Sequence, residues 1–295
     1  MFGDSFSEVG NIYNASNGSQ PGVWSYDGRY SDGRVWQEYL FQFFGLPNEL
    51  KPSSQGGTNH AYGGATVDNS YIDSFSTYLQ DYVPSVKEQV TEYIYNENVD
   101  VSPQRLHVLY PGYNDYWWYI HRNFTTSDGQ DMNFTKIYTT VANSIVEQMD
   151  RLYAIGARKF LIGNVVRMSK WAEASLHPQD VLESYELLVN WHNEVLANLL
   201  SDFGARHNDA DVFEQDNYRA FECIRQHKDW IGIKFVDVPC HPTQEDNCEP
   251  VFDYAYWDWY HPSTRAHFIA STFALQSMFD KQTKQYVKTS LRNRY

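Results

Sequence analysis

Four short blocks in this 295-residue sequence carry side chains able to make and break bonds. The first is Phe2-Gly3-Asp4-Ser5-Phe6-Ser7. A serine hydroxyl is a poor nucleophile unless it is exposed, aligned with a base, and close to donors that hold a developing oxyanion. A tight turn between a strand and a helix presents the hydroxyl and aims backbone N–H groups at the same point, with the helix dipole assisting. The second block, Asn59-His60-Ala61-Tyr62-Gly63-Gly64-Ala65-Thr66, contains paired glycines. Glycines let backbone approach a ligand and expose the N–H groups an oxyanion hole requires. The third, Tyr110-Pro111-Gly112-Tyr113-Asn114-Asp115, follows an apolar run and offers the Asn114 amide as a donor. The fourth, Asp258-Trp259-Tyr260-His261-Pro262, spaces a carboxylate to reach the near nitrogen of an imidazole. That contact fixes the tautomer and leaves the far nitrogen to take a serine proton.

Singly, each block has a plainer explanation. Gly-Asp-Ser is an ordinary solvated turn, Gly-Gly a simple turn, Asn114 the start of an Asx turn, and Asp-x-x-His a structural pair or metal ligand. Jointly, and in this order, the four blocks resemble the SGNH hydrolase family, also called GDSL lipases and esterases. Further stretches extend the likeness over essentially the whole chain. Gly28-Arg29-Tyr30-Ser31-Asp32-Gly33-Arg34-Val35-Trp36 is similar to a stretch of the larger fungal, bacterial and plant-type members, and Ala157 to Ile162 resembles their strand before a substrate loop. The cysteines ahead of Tyr256-Trp257-Asp258 look like those of secreted fungal members.

The resemblance implies a three-layer α/β/α sandwich around a mainly parallel, flavodoxin-like sheet, formed by residues 1–295 as one domain. It implies Ser5 as nucleophile, His261 as general base and then acid, and Asp258 as its orienting carboxylate. The oxyanion hole would comprise the Ser5 N–H, the Gly64 N–H and the Asn114 side chain; Gly64 is chosen over Gly63 because the family's glycine falls five places after the position of Asn59. The implied reaction is acyl transfer to Ser5, release of an alcohol, and hydrolysis of the acyl-enzyme. Short acyl esters, including acetyl esters of carbohydrates, are the expected substrates. The same residues also suit a lipase, a phospholipase or an acyltransferase, and a non-catalytic glycan- or lipid-binding module is a further alternative. No metal or organic cofactor is implied. Three departures stand out. Glu8-Val9-Gly10-Asn11 replaces the family's Asp-x-Gly-Asn, Pro111 stands where glycine is common, and only two residues precede Gly3. So short a first strand predicts a less rigidly held Ser5.

The elements that must position these blocks can be read from hydrophobic spacing. Met1-Phe2 is the stub of a strand ended by Gly3-Asp4-Ser5. Residues 34–44 read as a helix with Val35, Trp36, Tyr39, Leu40 and Phe43 on one face. Residues 105–110 form a strand stopped by Pro111-Gly112, and a long helix spans 133–155 with Gly156 as its C-cap. A strand at 159–166, a helix at 185–203 ended by Gly204, an extended segment at 233–238 and a terminal helix at 263–279 complete the reading. This alternation predicts a parallel sheet covered by helices, with the polar blocks on loops at the strands' carboxyl ends.

Composition narrows the partners. A hydrophobic content of 42% and a charged content of 20% suit a folded globular chain. A net charge of −14 repels phosphate backbones and anionic membranes, so nucleic acid is excluded as the expected partner. No apolar run is long enough to span a bilayer. Aromatic residues reach 17%, and most serve packing. Trp117, Trp118, Trp257 and Trp259 flank Asn114 and Asp258, and line either the core or a groove for a sugar or acyl chain. The other histidines share no metal-ligand spacing. Cys240 and Cys248 bracket a short polar loop that a disulfide could close, which leaves Cys223 as a buried free thiol. Asn14, Asn17, Asn123 and Asn133 each begin an N-x-S/T sequon, which favours a secreted protein. Either a leader precedes Met1 or the protein is intracellular.

Overall fold

Strand β1 consists of Phe2–Gly3 alone, and the surrounding chain braces it from both sides. The computed structural model describes residues 1–22, 24–46, 50–71, 83–96, 101–122, 133–243, 248 and 250–292. Parallel to β1 runs β2 (Leu106–Tyr110), which pairs Phe2 with Leu109 and Gly3 with Tyr110. Beyond it lie β3 (Lys159–Gly163) and β4 (Asp211–Gln215), all parallel and in the order β1-β2-β3-β4. On the free side of β1, the His60 N–H donates to Met1 O and the Tyr62 N–H to Gly3 O. The Gln89 side chain completes the bracing. Its Oε1 accepts from the Gly3 N–H and its Nε2 donates to Gly3 O, both at 2.9 Å. Gly3 has to be glycine, because a Cβ there would stand 2.6 Å from the Tyr110 carbonyl oxygen. A separate parallel pair is made by β5 (Phe235–Pro239) and β6 (Tyr254–Tyr256).

The helices are α1 (Asn11–Ala15), α2 (Trp36–Phe43), α3 (Val86–Tyr95), α4 (Tyr113–Arg122), α5 (Phe134–Ala154), α6 (Gln179–Arg206), α7 (Asn217–Gln226), α8 (Lys228–Ile231) and α9 (Thr264–Arg292). Helices α3, α5 and α6 pack together, as do α2, α7 and α9. Between the two groups, β2 and β3 are buried at every position after the first, on both faces. Strands sealed on both sides need helices above and below, and this is the layered α/β arrangement the sequence predicts. Phe2, Leu109, Phe160, Ile162, Ile137 and Ile145 belong to one large core cluster. Burying side chains of this size contributes about 1.5–3 kcal/mol each. Among the described residues, no helix is long and apolar enough to cross a membrane.

Several boundaries differ from those read off the sequence. Helix α6 starts six residues before 185, directly after Pro178, with Asp180 in its first turn. It also runs through Gly204, a half-buried helical residue with no other atom within 4 Å of where its Cβ would sit, so neither a close approach nor a turn calls for glycine there. Helix α9 continues to Arg292 rather than ending near 279. By contrast, α5 starts at the expected cap, where Asn133 Oδ1 accepts from the Lys136 N–H at 2.9 Å. It stops at Gly156, whose φ of 112° suits glycine at that place.

Candidate active site

The turn after β1 presents Ser5. Asp4 Oδ1 accepts from the Phe6 N–H at 3.0 Å, and Asp4 O accepts from the Ser7 N–H at 3.0 Å, so the chain reverses around the serine. Trp36 at the start of α2 donates its Nε1 hydrogen to Ser7 Oγ at 3.1 Å and pins the far end of the turn. Asp4 is fully enclosed. Burial, reinforced by the nearby Asp115 carboxylate, pushes its carboxyl up to about 8.

From the other end of the chain, the loop between β6 and α9 brings His261 to the serine. His261 Nε2 lies 2.9 Å from Ser5 Oγ, across a sequence separation of 256 residues. On its other side, His261 Nδ1 is 2.8 Å from both oxygens of Asp258. Asp258 Oδ1 also accepts from the backbone N–H groups of Tyr260 and His261, each at 2.8 Å. A carboxylate held by two amides of its own turn cannot swing away from the imidazole. The Trp257 N–H donates to His261 O at 2.8 Å and closes the loop.

The Gly28–Trp36 stretch clamps that loop in place. Ser31 Oγ donates to Pro262 O at 2.9 Å, and Asp32 Oδ1 accepts from the Thr264 N–H at 2.7 Å at the start of α9. Gly33 lets the two segments approach, since a Cβ there would lie 2.7 Å from Thr264 Oγ1. The Tyr30 ring stacks at a tilt on His261, with centroids 4.8 Å apart.

The candidate oxyanion donors border one cavity with Ser5. Asn114 lies in the first turn of α4, and its Nδ2 donates one hydrogen to Ala65 O at 3.0 Å, which orients the amide and leaves its second hydrogen for the cavity. Gly64 has φ 82°, a left-handed conformation. Its neighbour Gly63 donates its N–H to Glu8 Oε2 at 2.5 Å, so that group is committed and Gly64 is the glycine with an N–H to offer. Glu8 is itself buried. Desolvation raises its carboxyl to about 8, against the opposing effect of N–H donors from Ile12 and Gly63.

These groups line a cavity of about 370 Å³ with Ser5, Gly63, Gly64, Asn114 and His261 on one side and Tyr30, Tyr113, Trp117, Trp118, Tyr260 and Gln20 around it. Trp117 and Trp118 are therefore wall residues. Trp257 and Trp259 do not line it, contrary to the reading of all four tryptophans as one groove. Trp257 packs on His241 with ring centroids 4.1 Å apart, and Trp259 donates its Nε1 hydrogen to Pro242 O at 3.0 Å. Both are turned towards the segment after β5. Tyr113 and Tyr260 adjoin Asn114 and His261 in the blocks, and Tyr30 lies in the Gly28–Trp36 stretch, but nothing in the sequence marks these tyrosines as wall residues, and Gln20 carries no sequence signal at all. A larger apolar cavity, about 670 Å³ around Met1, Phe2, Leu40, Phe44 and Tyr93, lies elsewhere and is lined by none of Ser5, Gly64, Asn114, Asp258 or His261.

Cys240 and Cys248 are joined as a disulfide with Cα atoms 5.3 Å apart, while Cys223 is free and half-buried rather than buried. Asn17 and Asn133 are exposed and Asn14 is half-buried; Asn123 lies outside the described residues.

The sequence profile of the GDSL-like lipase/acylhydrolase family matches residues 1–271. The chain is 24% identical over 298 residues to the thermolabile hemolysin of Vibrio parahaemolyticus, covering 93% of this chain and 62% of that protein. It is 26% identical over 242 residues to the phosphatidylcholine-sterol acyltransferase of Aeromonas hydrophila, covering 82% and 64%. The chain thus spans less than two thirds of the length of these curated relatives. Among solved structures, an extracellular lipase from Streptomyces rimosus superposes with a TM-score of 0.41 at 15% identity, over 92% of this chain and 97% of that one.

Proposed function

The chain belongs to the GDSL-like lipase/acylhydrolase family, and from that premise we propose that it hydrolyses carboxylic esters through an acyl-enzyme on Ser5. The 2.9 Å contact between His261 Nε2 and Ser5 Oγ carries the proposal. With Asp258 accepting the Nδ1 hydrogen, Nε2 is the basic nitrogen and receives the serine proton as Oγ attacks the ester carbonyl. Charge then develops on the carbonyl oxygen beside the Ser5 and Gly64 N–H groups and the Asn114 amide, which are already oriented and lose no free energy in turning. His261 returns the proton to the leaving alcohol. Water, activated by the same nitrogen, releases the acid and restores Ser5.

The favoured substrates are short acyl esters, acetyl esters of carbohydrates among them. A cavity of about 370 Å³ walled by Trp117, Trp118, Tyr113, Tyr30 and Tyr260 supports this reading. Aromatic faces match the apolar faces of sugar rings, and their polar edges match hydroxyls. The relative named as a phosphatidylcholine-sterol acyltransferase favours a second reading, in which an alcohol instead of water takes the acyl group from Ser5. The disulfide and the exposed sequons at Asn17 and Asn133 support a secreted location.

The test is p-nitrophenyl acetate turnover by the parent chain and by Ser5→Ala. Removing the nucleophile should lower kcat by on the order of 10³-fold or more. Equal rates would refute the proposal. Repeating the assay with acetylated sugars, phospholipids and added alcohol acceptors separates hydrolysis from transfer.

A further inference from the structure

Beneath the aromatic wall lies a second group of ionisable side chains that ester chemistry does not use. Glu173 follows Trp171 in a short 3-10 segment, Ala172–Leu176, and its side chain is only 3% exposed. Its Oε2 accepts from the Tyr113 hydroxyl at 2.7 Å, and its Oε1 accepts from Trp117 Nε1 at 2.6 Å and His177 Nε2 at 2.7 Å. Among the described residues, its only ion-pair partners are His121 and His177. A carboxylate taken out of water is costly unless a cation is close by, so this site calls for positive charge.

The ring of His121 shows where the charge would sit. Its Nδ1 lies 2.7 Å from Trp117 O, and a carbonyl oxygen can only accept, so Nδ1 carries the hydrogen. In the neutral ring, Nε2 is then a bare lone pair. That atom is buried, has no hydrogen-bond partner among the described residues, and faces Glu173 Oε1 at 4.0 Å. An acceptor facing an acceptor is unfavourable, and a protonated Nε2 would still be too far for a hydrogen bond. Ring contacts fix the imidazole, with Trp117 stacked at 4.5 Å and His177 tilted at 4.7 Å between centroids.

We infer that His121 Nε2, His177 Nε2 and Glu173 Oε1 form a binding site for a divalent transition-metal cation of the zinc type. The three ligating atoms lie within 4.8 Å of one another. Around a tetrahedral ion with bonds of about 2.1 Å, ligand atoms stand roughly 3.4 Å apart. That spacing falls between the 2.7 and 4.0 Å contacts Glu173 makes with the two rings, so shifts below one ångström suffice. His177 frees its Nε2 by moving the hydrogen to Nδ1, and no proton needs to leave. Trp117 and Tyr113 keep donating to Glu173. The His121 Nδ1 hydrogen bond to a carbonyl is the orienting contact that metal-bound imidazoles use. Side-chain exposures of 24% for His121 and 16% for His177 give an ion a route in. Because Trp117 and Tyr113 both line the catalytic cavity, a bound ion would stiffen the wall beside Asn114.

The experiment is calorimetric titration of chelator-stripped full-length protein with ZnCl₂, with tryptophan fluorescence followed in parallel. One Zn²⁺ per chain is expected, together with a change in fluorescence from Trp117. His121→Gln and His177→Gln should each weaken binding by at least roughly tenfold, while His227→Gln, at an exposed position distant in sequence, binds as the parent does. Absence of binding overturns the inference, as does binding that survives both substitutions. If either variant fails to fold, Co²⁺ in the parent chain serves instead. Visible bands of a four-coordinate site are expected, and a weak octahedral spectrum overturns the inference.

Discussion

Two carboxylate–imidazole pairs in this fold are built from the same parts and face opposite ways. In Asp258–His261, the carboxylate holds Nδ1, and Nε2 points at a hydroxyl 2.9 Å away. In Glu173–His177, the carboxylate holds Nε2 instead, and its other partners are a phenol and an indole. Asp258 keeps 32% of its side chain exposed beside an open cavity, whereas Glu173 is sealed beneath the cavity wall. Residue types and spacings of three or four positions are alike in the two pairs. What separates a proposed base from a structural clasp is which ring nitrogen the carboxylate occupies and what lies beyond the other one.

The largest effect that could break this contrast comes from deleting the rings. His261→Ala should reduce kcat on p-nitrophenyl acetate by on the order of 10³-fold or more, while His177→Ala leaves it within a few fold. Comparable losses in both variants would mean the second pair also takes part in the chemistry.

Neutralising the carboxylates sharpens the contrast with a smaller effect. Asp258→Asn donates where it should accept and favours the wrong tautomer, so kcat should fall by about 10³-fold with the unfolding midpoint nearly unchanged. Glu173→Gln should do the reverse. It leaves a buried site with mismatched hydrogen bonds, costing about 1–3 kcal/mol of stability, and loosens Trp117 and Tyr113 enough to raise KM by a few fold. Paired steady-state kinetics and urea unfolding on the two variants check both arms. A large kcat loss in Glu173→Gln at unchanged stability would contradict the assignment.

The first of these pairs was legible in the sequence and the second was not. Asp258 and His261 sit within one block, and a distant Ser5 block accompanies them. Glu173 and His177 also lie four positions apart, but that spacing alone marks no chemistry, and the Tyr113, Trp117 and His121 that complete the cluster come from another element, so no spacing along the chain links them to it. The same limit explains Tyr30 and Tyr260, which reach the cavity through the fold. Long periodic elements such as α5 were readable to within a residue or two, because a capping Asn133 and a stopping Gly156 flank a clear apolar face. Strand β4 was missed: Asp211-Val-Phe-Glu-Gln has only two apolar residues, and its neighbour β3 supplies the pairing that makes it a strand. Gly204 misled in the other direction, since a glycine inside a well-packed helix costs only about 1 kcal/mol and need not end it.

A third set of imidazoles, which has no carboxylate partner among the described residues, gives the smallest effect per residue and the broadest test. Burial pushes His60 down to about 3, His107 to about 4, and His192 and His267 to about 3. Each stays neutral in the folded state well below the ordinary value of 6.5, while the unfolded chain takes up a proton there. The stability they protect is therefore complete above about pH 6.5 and is lost as pH falls towards 4, at up to about 1.4 kcal/mol per pH unit for each ring. Asp4 and Glu8, raised to about 8 by burial, act with the opposite sign. They hold protons that the unfolded chain releases above about pH 4, so their contribution declines as pH rises towards 8. Four rings outweigh two carboxyls below pH 6.5, and above it the two carboxyls outweigh the single Met1 amine that burial lowers to about 5, so the urea midpoint should peak near pH 6.5. His192→Asn, which cannot titrate, should flatten the acid limb and leave the alkaline limb as it was. A midpoint that climbs steadily to pH 8, or an acid limb unaltered in that variant, would show that these rings are not held neutral by burial.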